Sequence, residues 1–193
     1  MLVGKVSISP KALQEIMTRS FGDTDASGAW QRKDAYEALE IAQVKFIQKY
    51  ADTLRRMKPE MVLTLLQNLQ NLCPTHTKRS EESVAMQQFS TPVTIGYIAA
   101  LAAGVTVGDT LLEPSAGTRM LAVVGNVQGS GLVLNELAND RNAILARLFP
   151  KAVLSSHNAE YLADTLNASL KPSVVIMNPP FSSSPNAVNT RSG

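Results

Sequence analysis

The sequence predicts an α/β fold: a parallel sheet whose strands alternate with helices, preceded by a helical segment. Three observations carry this. From residue 84 onward, four short apolar runs recur, with helical-period runs between them. Between residues 30 and 72 the apolar residues instead recur at three- and four-residue steps. The first strand-like run ends in a turn of small residues, a usual joint between strand and helix in such a sheet.

The N-terminal elements come first. Residues 1–29 show no sustained period and read as an irregular arm, with a turn-rich stretch at 21–28. Residues 30–82 read as a helical segment. Its first helix covers about 30–49, where Tyr36, Leu39, Ala42, Val44, Phe46, Ile47 and Tyr50 mark the apolar stripe. Pro59 suits the first turn of a second helix over 60–72, with Met61, Leu65, Leu66, Leu69 and Leu72 on its buried face. Pro74 stops it, and 75–82 is a polar connector. Trp30 reads as an anchor that packs this segment on the domain that follows, and Cys73 as a buried or half-buried cysteine at a helix end.

Residues 83–182 read as the α/β core and 183–193 as a tail. Thr91-Pro92 starts a helix over 93–103, and Gly104 and Gly108 punctuate the next turn. Strands are expected at 110–113, 131–136, 152–155 and 173–177, with helices at 120–127, 138–149 and 159–170. Strands joined this way are parallel, and ligands bind at their carboxyl ends.

Composition sets outer limits. The 193 residues, 45% of them apolar, make room for one domain with a helical extension. No apolar run approaches the roughly 18 to 20 residues of a membrane span. The start, Met1-Leu2-Val3-Gly4-Lys5, lacks the marks of a secretory signal, so a cytoplasmic protein with no membrane partner is expected. Cys73 alone cannot form an internal disulfide, and with only His76 and His157 beside it no metal site is expected. Residues 1–79 hold 12 basic against 8 acidic side chains, and the remainder 6 against 8. That mild asymmetry suits a polyanionic partner, and equally suits ordinary solvated helix faces.

Three places carry chemistry. Glu113-Pro114-Ser115-Ala116-Gly117-Thr118 spans the first strand–helix turn, where small residues let the backbone approach a ligand and the helix N-terminus favours an anionic group. Glu136 follows 23 residues later at the end of the second strand. A carboxylate there can accept hydrogen bonds from both ribose hydroxyls; the plainer alternative is a solvent-facing glutamate. After the fourth strand comes Asn178-Pro179-Pro180-Phe181. Two prolines hold the chain extended and remove two backbone donors. What remains is the Asn178 amide oxygen, carbonyl groups and an aromatic ring: an acceptor pair for a planar exocyclic amine, with Phe181 to stack on the attached ring.

These motifs resemble those of the S-adenosylmethionine-dependent N6-adenine DNA methyltransferases. Gln87-Gln88-Phe89-Ser90-Thr91-Pro92 is similar to the family's N-terminal motif, which packs over the methionine end of the cofactor. Residues 112–118 resemble its cofactor loop, Asn135-Glu136 its ribose-binding position, and Asn178-Pro179-Pro180-Phe181 its catalytic motif. Over about residues 30–184 the chain also resembles the methylase region of phage- and plasmid-borne proteins that join a methylase to a helicase of the Strawberry-notch kind.

The resemblance implies a Rossmann-like methyltransferase sheet, S-adenosylmethionine as cofactor, and DNA as partner. Phe89, Ser90, Thr91 and Pro92, the 113–118 loop, Glu136 and Asn158 would bind the cofactor, Asn158 on its adenine. Asn178, Pro179, Pro180 and Phe181 would form the catalytic motif. The same motif also serves methylation of protein glutamine and of guanine N2 in RNA, and a non-catalytic cofactor-binding domain is a further alternative. Two departures stand out. Arg119 occupies a place where the loop motif usually has glycine, and is expected to weaken cofactor binding, its guanidinium either turned in to the cofactor carboxylate or out to solvent. The chain also stops 12 residues after Phe181. The resemblance therefore implies a sheet truncated after strand four, in order 3-2-1-4, whose exposed edge strand could self-associate.

Overall fold

The computed structural model describes residues 6–74, 91–117 and 119–179. It is an α/β structure with a four-stranded, all-parallel sheet in the order β3-β2-β1-β4. The strands are β1 (Thr110–Glu113), β2 (Gly131–Asn135), β3 (Val153–Ser155) and β4 (Val174–Val175). Class and strand order are those expected from the sequence.

The first helix departs from expectation. Residues 1–29 were expected to be irregular, yet Pro10–Phe21 forms α1. The Ser9 hydroxyl accepts from the Ala12 amide at 3.1 Å, Pro10 opens the first turn, and Gly22, at φ 82°, closes the helix with a bond to the Thr18 carbonyl. Its buried stripe is only Leu13 and Met17, too short to register as a period. These two pack with Ile8, Trp30, Ala35 and Leu39 in a cluster of their own. Trp30 thus anchors α1 to the next helix, not the helical segment to the sheet; its indole N–H donates to the Asp23 carbonyl at 3.0 Å.

Helix α2 (Arg32–Lys49) starts on a capping box between Gln31 and Asp34 and buries Ala35, Leu39, Gln43, Val44 and Ile47. A break at Tyr50 separates it from α3 (Ala51–Arg55). Pro59 opens α4 (Pro59–Asn71). Its buried face is Val62, Leu66 and Leu69, whereas Met61 is 54% and Leu65 43% exposed. Leu66 and Leu69 are thus buried as expected, while Val62 takes the place expected of Met61 and Leu65. The sequence offers apolar i, i+4 pairs at both 61/65 and 62/66, and packing against α5 (Val93–Ala102) and the core decides between them.

Helix α6 (Met120–Gln128) is the centre of the molecule, with every residue from Met120 to Gly125 buried. It lies between the sheet and α2, α3 and α5. Gly125 makes that contact possible: a Cβ there would stand 2.9 Å from a Leu132 methyl and 3.2 Å from one of Leu111. Helices α2 and α3 also supply donors to the carbonyls at two helix ends. Gln48 Nε2 donates to the Leu148 carbonyl at 2.8 Å, closing α7 (Asn139–Leu148), and Arg55 Nε donates to the Val127 carbonyl at 2.9 Å, closing α6. The helical segment and the sheet share one hydrophobic core.

The sheet's second face is more thinly covered. Leu112 and Val133, adjacent in register, pack with Leu162, Leu166 and Leu170. The helix expected over 159–170 reduces to a 3-10 turn, Ala159–Tyr161, and α8 (Leu162–Thr165). Asn167 ends it: its side chain accepts from the Ser169 amide, and Lys171 sits at φ 38° ahead of Pro172. Strand β4 is short, but the Ser173 amide bonds to the Thr110 carbonyl and the Ile176 amide to that of Leu112, continuing its pairing with β1.

Candidate functional site

Chain order sets a switch point in the sheet. From β1 to β2 to β3 the sheet grows in one direction, and the chain then returns to lay β4 on the other side of β1. The switch point therefore lies at the carboxyl ends of β1 and β4, where ligands of open parallel sheets bind. Glu113 ends β1, and Asn178-Pro179 follows β4.

Glu113 is fully buried. Burial pushes its carboxyl well above the usual range, and the nearby Glu136 carboxylate adds to this; a hydrogen bond from the Ala122 backbone, in the first turn of α6, opposes it. The other oxygen, Oε2, is buried with no hydrogen-bond partner among the described residues.

The loop and the acid of β2 come together as the sequence suggested. Glu136 is half-buried, its Oε1 accepts from the Ala138 amide at 2.8 Å, and its Oε2 lies beside Gly117. A Cβ on Gly117 would stand 3.0 Å from that oxygen and 3.1 Å from Arg141 Nη1, so any larger residue would make these side chains give way. Pro114 and Ser115 are half-buried and Ala116 fully buried; Thr118 lies outside the described residues.

Asn135 organises this edge, a role that its place beside Glu136 hinted at without specifying. Its Nδ2 donates to the Pro114 and His157 carbonyls, both at 2.9 Å. Its Oδ1 accepts from the Ser155 hydroxyl at 2.8 Å and the His157 amide at 2.9 Å. One buried carboxamide thereby ties together the ends of β1, β2 and β3. Asn142 reinforces it, donating to the Glu136 and Ser155 carbonyls.

The two remaining motifs also meet. Thr91 is buried, Pro92 precedes α5, and Asn178 Nδ2 donates to Thr91 Oγ1 at 3.0 Å. Asn178 and Pro179 are exposed. Phe89, Ser90, Pro180 and Phe181 lie outside the described residues. Asn158 is exposed and its Oδ1 caps the 3-10 turn by accepting from the Glu160 amide at 3.1 Å; no bond shown links it to Glu113 or Glu136.

Arg119 takes neither of its expected orientations. It is completely buried and donates through Nη2 to Glu37 Oε1 of α2 at 2.6 Å. Its Nε is buried without a partner among the described residues. The backbone there is left-handed, φ 66°, which glycine adopts at no cost and arginine rarely. Neither a solvent-facing guanidinium nor a free cation therefore stands beside the 113–118 turn.

No protein-family model, curated protein or solved structure matches the chain.

Proposed function

We propose that this chain transfers a methyl group from S-adenosylmethionine to the exocyclic N6 amine of adenine in DNA. One observation supports the reading above the others: the Glu113 turn and Asn178-Pro179 flank the same switch point, on the paired strands β1 and β4.

The residues suit an adenosyl sulfonium in three respects. Glu136 keeps an oxygen beside the bare α-carbon of Gly117, ready for ribose hydroxyls. The turn of Pro114, Ser115, Ala116 and Gly117 carries little bulk against a close backbone approach. Glu113 holds a buried oxygen with no partner among the described residues. Thr91 and Pro92 would border the methionine end. When bound, the cofactor supplies an electrophilic methyl carbon together with its leaving group.

The chain consequently needs no covalent nucleophile. Its work is alignment and exclusion of water. The Asn178 Oδ1 and the Pro179 carbonyl would accept the two amine protons, which draws the nitrogen lone pair out of conjugation with the ring. Phe181 would stack on the base, and a base in duplex DNA would first leave the helix stack. Among the described residues no helix is long and apolar enough to cross a membrane, and the cytoplasm is the proposed place of action.

The test is label transfer. The full chain is incubated with methyl-labelled cofactor and, separately, with DNA, RNA and protein. Label at adenine N6 of DNA is expected, and Asn178→Ala should lower turnover below about a tenth of wild type while cofactor affinity stays within a few-fold. Label in RNA guanine or protein glutamine would reassign the substrate. Cofactor binding with no transfer to any of the three would leave a binding domain.

A further inference from the structure

A carboxamide has nearly the same shape after a half-turn about its last torsion, yet only one orientation presents an acceptor. For an exposed asparagine such as Asn178, water satisfies both orientations equally. Something must hold the side chain in place if its oxygen is to face an amine. Among the described residues, this side chain donates from Nδ2 to Thr91 Oγ1 at 3.0 Å.

Resting on the methyltransferase reading, we infer that Thr91 is a positioning residue that holds the Asn178 carboxamide in place. Its hydroxyl takes the Nδ2 side, and the oxygen is left for the incoming amine.

The two partners differ in how firmly they are held. Thr91 is 8% exposed and stands before Pro92, where the backbone is confined to extended geometry. Directly after it, Val93 (1% exposed) and Tyr97 (3%) fix α5 in the main core. Asn178 follows a two-residue edge strand, beyond the last backbone bond to β1 at Ile176. The contact thus ties a loosely held reacting side chain to a rigid element 87 residues away. It also gives Thr91 a role on the amine side of the site, separate from the cofactor contact that the family resemblance implies.

Substitution with and without the hydroxyl tests this. Thr91→Val keeps the shape and removes the acceptor; Thr91→Ser keeps the acceptor. In the full chain at saturating S-adenosylmethionine, Thr91→Val should lower kcat about tenfold or more, with KM for DNA unchanged within about threefold, and Thr91→Ser should restore most of the loss. A second arm needs no turnover: the Asn178 side-chain amide protons, followed by NMR, should exchange more slowly in wild type and Thr91→Ser than in Thr91→Val. The inference is overturned if Thr91→Val retains wild-type kcat, if serine fails to rescue, or if the amide protons do not distinguish valine from serine. Should wild type methylate nothing, the proposed function fails, and the NMR arm still decides the contact.

Discussion

Glu37 and Arg119, 82 residues apart in sequence, meet at 2.6 Å behind the turn that follows β1. The Arg119 side chain is 1% exposed and that of Glu37 32%, so the cation depends on its partner far more than the anion does. The pair also accounts for an arginine in left-handed backbone. What the conformation costs, about 1 to 2 kcal/mol, is offset where the side chain is buried and neutralised.

A double-mutant cycle on this pair should give a coupling of at least about 1 kcal/mol. Glu37→Gln leaves a buried guanidinium without a counter-charge and should cost about 2 kcal/mol, less than for a fully buried pair because Glu37 is partly solvated. Adding Arg119→Gly to it should cost less than Arg119→Gly in the wild-type background. Urea unfolding of the four proteins measures this; additive effects would show that the contact contributes nothing to stability.

Glu113 should impose a pH dependence of definite sign. Folding raises its pKa through burial, so the native chain holds a proton that the unfolded chain releases above the ordinary carboxylate pKa of about 4.3. Its effect on stability is absent below that value and grows more unfavourable as pH rises toward the folded pKa. Glu113→Gln removes the effect. Its stability relative to wild type should climb by up to about 1.4 kcal/mol per pH unit across that window. Unfolding midpoints at about pH 4.5 and about pH 7.5 suffice, and an equal difference at both would refute the assignment.

Asn135 makes four hydrogen bonds from a side chain that is 1% exposed. Removing it strands the Pro114 and His157 carbonyls and the His157 amide. Asn135→Ala should therefore cost about 3 kcal/mol, and Asn135→Asp nearly as much, because a carboxylate cannot donate to the two carbonyls. Chemical denaturation reads both. A loss below about 0.5 kcal/mol would mean the ends of the strands are held by other means.

Strand β4 pairs with β1 on one side, and its other edge has no strand partner among the described residues. Val175 is 50% and Met177 58% exposed along it. An apolar open edge invites pairing with another chain. Reversible self-association is expected in sedimentation at high protein concentration, weakened by Val175→Lys. A wild-type protein that stays monomeric throughout would contradict this.

Much of the frame was legible in sequence because it depends on local chemistry. The first strand begins and ends at the residues that periodicity marked, and so does the turn after it, because apolar runs bounded by Gly, Asp and Pro signals need little outside help. Helix α1 was missed although Ser9, Pro10 and Gly22 mark its ends, since two buried residues make no period. The end of α8 was misplaced because Asn167, which reads as a tolerable helix residue, bonds locally and turns the chain.

The sequence by itself determined the class, the alternation of strands and helices, and the residues that end β1 and β3. Those are properties of neighbours along the chain. Only the tertiary structure decided which face of α4 is buried, what Trp30 anchors, and where the Arg119 charge goes. Each depends on a partner in another element: α5 for α4, α1 for Trp30, and Glu37 of α2 for Arg119. A buried charge takes whichever counter-charge the packing brings near, because leaving it unpaired costs several kcal/mol, roughly, and no pattern of neighbouring residues states which one that will be.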